Sequence, residues 1–280
     1  MKMFKYIFFA GAVCTAAFLA GCNEDEYTPG EASSENGLNV YFESPTGAEV
    51  VLGPETTEFT ITVGRNQADE ALSIPLKVDN PHADLIDIPT QVDFAQGESS
   101  KSITVKVSSG LKMFETYPVR LSIDAQYTQA YLQSEVYPRL SLQVIKEDYV
   151  PYADGKFSDY LTSPDENPME TDQVMEYSAI LDMYRLKSCW GTGTGSIVFS
   201  WDGENKVSLE SPSIPTGYTI PEYGSFTASL VEDATYDQTS KTFTFPLEFI
   251  AGDVTTGACD ETYTITSLKV SIRRNAPFTL

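Results

Sequence analysis

A chain of 280 residues with 40 acidic side chains, 18 basic ones and a single histidine carries a formal charge of −22 at pH 7. That balance excludes nucleic acid as a partner, because its phosphates would be repelled, and it implies a solvated, self-repelling surface. Sixteen Tyr and fifteen Phe, with Thr, Ser and Val filling the segments between turns, argue against a helical body and for β structure.

The first element is an export signal. Lys2 and Lys5 form a short positive head, and Tyr6 to Leu19 is an uncharged apolar run. The run is shorter than the ~20 residues that a membrane-spanning helix needs, so residues 1–21 read as a cleaved signal. The exit, Leu19-Ala20-Gly21-Cys22, resembles the lipobox of bacterial lipoproteins. The resemblance implies that Cys22 is lipidated and becomes the mature N-terminus, with the lipid bilayer as its partner. Two or more acyl chains make such attachment stable, at ~0.8 kcal/mol per buried CH₂. Asn23-Glu24-Asp25-Glu26 resembles the acidic export tag of lipoproteins that Bacteroidetes place on the outer face of the outer membrane. Residues 22–37 are polar and aperiodic and read as a flexible acidic tether. Loss of Lys2 and Lys5 leaves 16 basic against 40 acidic side chains, a net charge of −24.

Residues 38–148 show period-two alternation at 38–42, 59–63, 72–78, 92–94, 103–107, 119–123 and 140–144. Short alternating strands with turns between them predict an antiparallel β-sandwich of the immunoglobulin type. Pro75 lacks an amide hydrogen and predicts an edge or a bulge at that point. The stretch Val92-Asp93-Phe94-Ala95-Gln96-Gly97-Glu98, running on to Ile103-Thr104-Val105, resembles the signature of Calx-beta-type sandwiches. Some members of that family bind calcium through clustered carboxylates. The resemblance places such ligands at Glu147 and Asp148, with Asp79 or Asp84 from another loop. Calcium takes six to eight hard oxygens. No Asp-x-Asp-x-Asp-Gly run is present, so solvated acidic loops are the expectation and no metal is assigned. His82 follows Asn80-Pro81 in a turn and reads as a surface residue rather than a catalytic base.

Residues 149–280 open on a proline-containing joint, Tyr149 to Gly155. Strands are predicted near 157–161, 175–181, 184–186, 197–201, 206–209, 226–230, 243–249 and 263–272. A helix over 174–183 is the alternative for one of them, although its flanks favour strands. About eight strands predict an antiparallel β-barrel or sandwich. Met183-Tyr184-Arg185-Leu186, Phe199-Ser200-Trp201-Asp202-Gly203 and Tyr236-Asp237 with Phe243-Thr244-Phe245 resemble the C-terminal β-domains of Bacteroidetes surface lipoproteins.

Chemistry-bearing motifs are scarce. Gly191-Thr192-Gly193-Thr194-Gly195 lacks the Lys-Ser/Thr of a phosphate loop and leads into a strand, so it reads as a hairpin loop. Asp159, Asp165, Glu166, Glu170 and Asp172 include no pair whose separation the sequence can set at hydrolase spacing. Cys14 leaves with the signal and Cys22 takes lipid. A disulfide between Cys189 and Cys259 is therefore expected in an oxidising space, with two buried free thiols as the alternative. Trp201, in phase with Ile197 and Phe199, is expected in the core. Trp190 sits beside Cys189, and Tyr218 and Tyr223 lie in a Pro/Gly-rich stretch. Rings with polar neighbours hold sugar faces in β-modules, so these three form the candidate ligand platform, with a core role as the alternative. The combined reading is a non-catalytic, cofactor-free lipoprotein of the outer membrane that holds polysaccharide or assists an outer-membrane uptake complex. A structural or adhesive protein without a small ligand is the alternative, and a glycan hydrolase is the least supported class.

Overall fold

The computed structural model describes residues 38–43, 47–128, 137–163 and 167–269. Cys22, the signal and the tether lie outside the described residues, as do Asp165, Glu166 and the expected strand end at 270–272. The chain divides into two compact units. The first comprises Met1–Ala48, Glu58–Lys106 and Val119–Leu142; the second comprises Glu49–Thr57, Val107–Pro118 and Gln143–Leu280.

Strands β1 (Val40–Phe42), β3 (Glu58–Arg65), β5 (Ile86–Asp87) and β7 (Ser100–Val107) form one sheet in the order β1-β3-β7-β5. Strands β2 (Ala48–Leu52), β4 (Leu72–Asp79), β6 (Gln91–Phe94), β8 (Thr116–Ile123) and β9 (Arg139–Lys146) form another, ordered β2-β9-β8-β4-β6. Alternation decides which residues face inward. Val40, Phe42, Ile61, Val63, Ile103 and Val105 are buried from the first sheet. Ile74, Leu76, Val92, Val119, Leu121 and Leu140 are buried from the second, while the residues between them face out.

Pro75 lies where β4 changes partner. Leu72 to Pro75 pair with β6, and Leu76 to Asp79 pair with β8. The missing amide hydrogen therefore falls at a handover between ladders. The stretch Phe94 to Glu98 closes on itself. The Glu98 carboxylate accepts from the Ala95 amide at 2.8 Å and from Lys101 Nζ at 2.9 Å. Arg65, buried with its guanidinium over the Phe94 ring, donates to the carbonyls of Glu98 and Ala95, each at 2.8 Å. The Gly-Glu signature is thus a turn lock, and Gly97 supplies its positive φ of 82°.

The second unit holds β10 (Val150–Asp159), β11 (Met169–Ser178), β12 (Met183–Leu186), β13 (Ile197–Trp201), β14 (Val207–Leu209), β15 (Ser213–Ile220), β16 (Gly224–Leu230), β17 (Thr235–Asp237), β18 (Thr242–Ala251) and β19 (Val254–Leu268). They make one ten-stranded sheet, β14-β13-β12-β11-β10-β19-β18-β16-β15, with β17 added on β18. Val207 at one end of that order and Ile214 at the other belong to the same buried cluster, so the sheet curls around its core in the manner of a barrel. The core is aromatic. Phe199, Phe243 and Phe245 stack, tilt or meet edge-on at 5.2–6.4 Å, and Tyr184, Trp201 and Tyr263 extend the set.

The joint at Tyr149 to Gly155 is itself strand from Val150 onward. The alternative helix over 174–183 does not form. Strand β11 runs to Ser178, and a turn with Asp182 at a φ of 55° follows. At Gly155 a Cβ would strike the Tyr263 ring, whose hydroxyl donates to the Ala153 carbonyl at 3.1 Å.

Candidate functional site

The three rings of the expected platform do not share an exposed face. Trp190 is 2% exposed and packs edge-on against Phe249, with ring centroids 5.8 Å apart. Its loop is pinned to β15: Thr192 Oγ1 donates to the Thr216 carbonyl at 2.8 Å, and a Cβ on Gly195 would collide with that same backbone. The ring is drawn inside because burying an indole is worth more than showing it where an apolar neighbour is available. Tyr218 is half-buried on β15 against Phe226. Tyr223 alone stands out, 50% exposed, in the turn between β15 and β16. Trp190 is therefore a core residue, and no three-ring ligand surface forms. Trp201 packs against Tyr236 and Phe243 while its indole N–H donates to the Glu204 carbonyl at 3.1 Å.

The expected disulfide is also absent. Cys189 and Cys259 are free thiols. Cys189 is buried and its Sγ donates to the Leu186 carbonyl at 3.2 Å, while Cys259 sits half-buried on β19. Sequence could pair them only by elimination; the Cβ direction of Cys259 depends on the register of β19 and that of Cys189 on the turn after β12. Burial pushes the Cys259 thiol up to about 12, with the nearby charges of Glu261, Asp260 and Asp159 adding to it. It is a poor nucleophile.

Those same neighbours reveal a carboxyl pair that the sequence did not single out. Glu261 (0% exposed) on β19 and Asp159 (1%) at the end of β10 are both sealed in the wall of the second unit. Asp159 accepts from the amide and hydroxyl of Thr162. Glu261 Oε1 accepts from the Tyr160 amide at 3.0 Å, and Oε2 has no partner. The indole N–H of Trp190 faces this carboxyl without reaching hydrogen-bond geometry. Burial and then the charge of Asp159 push the Glu261 carboxyl up to about 8, against the pull of the Tyr160 and Leu161 amides. The carboxyl is thus neutral over most of the physiological range. Of the five acids weighed as a hydrolase pair, Asp165 and Glu166 lie outside the described residues, Asp159 is buried, and Asp172 pairs with Lys156 at 2.8 Å.

Three of the four carboxylates matched to calcium ligands, Glu147, Asp148 and Asp79, meet protein groups. Glu147 receives two bonds from Arg185, at 2.9 and 2.6 Å, and Glu176 receives a third from its Nε at 2.8 Å. The Arg185 guanidinium also lies 3.8 Å from the Tyr149 ring centre. Burial works against its charge, but Glu147 and Glu176 outweigh that and hold its ionised form more firmly. Asp148 accepts from Ser178 Oγ and from the Ile180 amide at 2.9 Å. Asp79 faces Arg120 at 3.8 Å. Among the described residues no three His, Cys, Asp or Glu side chains are grouped to hold a metal.

The site that the fold does build lies on the first unit, on the outer face of β4, β8 and β9. Register sets Lys77 beside Ser122 and Asp79 beside Arg120. The Ile123 amide donates to the Pro138 carbonyl at 2.9 Å, and antiparallel counting from there carries Arg139 to Ser122 and Ser141 to Arg120. The result is two polar rows across three strands: Lys77-Ser122-Arg139 and Asp79-Arg120-Ser141. They line a groove of about 460 Å³. A neighbouring hollow of about 730 Å³ shares Lys77, Ser122 and Arg139 with it and is bordered by Asp124 and Tyr137. Lys77 Nζ meets Asp124 at 3.0 Å. Sequence reasoning passed over this face because its members are ordinary outward residues of three strands that run from Lys77 to Ser141. Only pairing brings them together.

No protein-family model and no curated protein matches the chain. Among solved structures it is similar to a protein of unknown function from Bacteroides ovatus, at 10% identity and a TM-score of 0.33, over 81% of this chain and 89% of that one. It is also similar to a multidomain protein including DUF1735 from Bacteroides ovatus, at 12% identity and a TM-score of 0.32, over 82% and 93%. A third similarity is to the calcium-binding domain CBD12 of CALX1.1, at 7% identity and a TM-score of 0.31, over 54% and 79%. At these values the likenesses accompany the all-β architecture and carry nothing about ligand, metal or activity.

Proposed function

We propose that the chain is a lipid-anchored, non-catalytic lipoprotein of the bacterial outer membrane, held by Cys22 and facing outward, whose first unit holds a glycan as an accessory to capture or uptake. The observation that supports this is the groove on β4, β8 and β9. It is concave, of a size that suits a few sugar rings, and lined with hydroxyl, carboxylate and cationic groups that match sugar hydroxyls. Tyr137 at the border of the adjoining hollow adds a ring on which a sugar face packs. This moves the binding surface from the second unit, where Trp190 is buried, to the first.

The test is retention on polysaccharide affinity gels. The mature protein is retarded; Ser122→Trp, which fills the groove from an outward position, abolishes the retardation; Tyr223→Ala leaves it intact. Free migration through a broad panel of immobilised glycans would sink the reading. The anchor is tested separately, by incorporation of labelled fatty acid that disappears in Cys22→Ala and by protease access on intact cells.

One observation favours the adhesive alternative. Ile180 and Leu181, adjacent in the turn after β11, are both exposed. Specific capture of one outer-membrane protein, lost on Ile180→Asp, would support that reading in place of the glycan.

A further inference from the structure

We infer that the groove is selective for an acidic sugar, one bearing a carboxylate or a sulfate ester, and that Arg139 is the residue that reads the charge. This rests on the glycan-holding proposal and narrows it to a ligand class.

The argument begins from how sparingly the chain uses cations. Acids outnumber bases 40 to 18, so most basic side chains find a carboxylate. In the first unit Arg65 is spent on the carbonyls of the Phe94–Glu98 turn and Lys101 on Glu98. Lys77 is matched by Asp124, and Arg120 more loosely by Asp79 at 3.8 Å. Among the described residues of that unit, Arg139 and Lys106 are the two cations whose side chains have neither a hydrogen bond nor an ion pair. Of these only Arg139 lines the groove.

Three cations against two carboxylates, Asp79 and Asp124, give this face a local positive balance on a chain whose total charge is −22. A guanidinium offers two parallel N–H donors in a fixed plane, the geometry that matches a carboxylate or a sulfate. Ser122 lies between Lys77 and Arg139 in the same row and offers a hydroxyl there. Asp79 and Asp124 accept from further hydroxyls. A neutral sugar satisfies the hydroxyl partners and leaves Arg139 unanswered. An acidic one answers both. The surrounding acidic surface works against long polyanions at a distance, so recognition concentrates on the one or two charged rings seated in the groove.

Calorimetric titration of the mature protein distinguishes the outcomes. The probes are an oligogalacturonate, the same oligosaccharide after reduction of its carboxyl groups, and a sulfated oligosaccharide of equal length. We expect at least one acidic probe to bind ten-fold or more tighter than the reduced one. Arg139→Gln removes that preference and Arg139→Lys keeps part of it, while unchanged thermal unfolding shows that both variants fold. The carboxylate and sulfate arms identify which anion is preferred. Equal affinity for the acidic and reduced probes, or a preference that survives in Arg139→Gln, overturns the inference and leaves the glycan-holding proposal standing. Failure to bind any probe or any member of a broad neutral panel overturns that proposal as well. Tighter, Arg139-dependent binding to vesicles of anionic lipid than to every oligosaccharide overturns the assignment to a sugar.

Discussion

Among the described residues the two units differ in how much charge they bury: Arg65 alone in the first, Lys146, Glu147, Asp159 and Glu261 in the second. The first keeps a largely aliphatic core, joined by Phe42 and Phe94, and sets Lys77, Arg120 and Arg139 outward on one face. The second builds an aromatic core and draws charge inward, with Arg185 clamped by Glu147 and Glu176 and with Glu261 sealed beside Asp159. An outward cation held by water contributes little to stability and remains free to meet a ligand. An inward one is costly to desolvate and is held only by its partners, which then cannot serve as ligands themselves. The proposed binding role of the first unit rests on this contrast, in which the outward cations stay available and the inward charges are held by protein partners.

The most direct way to break the comparison is to hollow the aromatic core. Phe243 touches Phe199, Trp201, Tyr236, Phe245 and Tyr263. Phe243→Ala should destabilise the second unit by about 3–5 kcal/mol in denaturant titration. A loss below 1 kcal/mol would mean that the cluster is not the load path of that unit. Next in size is the clamp. Arg185→Ala strands Glu147 and Glu176 in a site where Arg185 itself is 11% exposed, and should cost about 3 kcal/mol. Restoration by the simultaneous change Glu147→Gln would show that the stranded charge, rather than lost packing, carries that cost.

Glu261 sharpens the comparison through pH. Its carboxyl is held up to about 8 in the folded chain, against 4.5 for an unperturbed glutamate. Below about 4.5 both folded and unfolded forms hold the proton. Between 4.5 and 8 the unfolded chain releases it and the folded chain does not, so this group's contribution to stability falls as pH rises and levels off above 8. The wild type should lose on the order of 2–4 kcal/mol relative to Glu261→Gln across that window. Parallel stability curves for the two proteins from pH 4.5 to 8 would refute the buried neutral acid. The smallest effect is expected at Tyr223. Its ring stands in solvent, so Tyr223→Ala should change stability by less than about 0.5 kcal/mol.

Much of the architecture was legible in the residues. Alternation at 59–63, 103–107, 119–123 and 140–144 marks strands because a pleated strand facing one core must alternate. Strands without that pattern were missed. Strand β2 shows no clean alternation, β5 has two residues, and the first half of β19 is exposed on both faces. Cys259 lies in that unread half, which is why its pairing with Cys189 was misjudged. Glu261 was passed over for a related reason, since an acid at an inward position breaks the apolar pattern by which inward positions are recognised.

The amino-acid order by itself set the expectation of an export signal ending in a cysteine that resembles a lipidation site, and it made legible an all-β architecture and a Gly-Glu turn that closes on its own side chains. These are local matters, set by period, turn chemistry and neighbours within a few residues. Tertiary structure alone decided that Trp190 faces inward, that Cys189 and Cys259 remain thiols, that Glu261 meets Asp159, and that Arg139 stands beside Lys77. Glu261, Cys259, Lys77 and Arg139 depend on the register between strands distant in sequence, where a shift of one residue turns a side chain to the opposite face, and Cys189 and Trp190 depend on the pinning of their turn to β15.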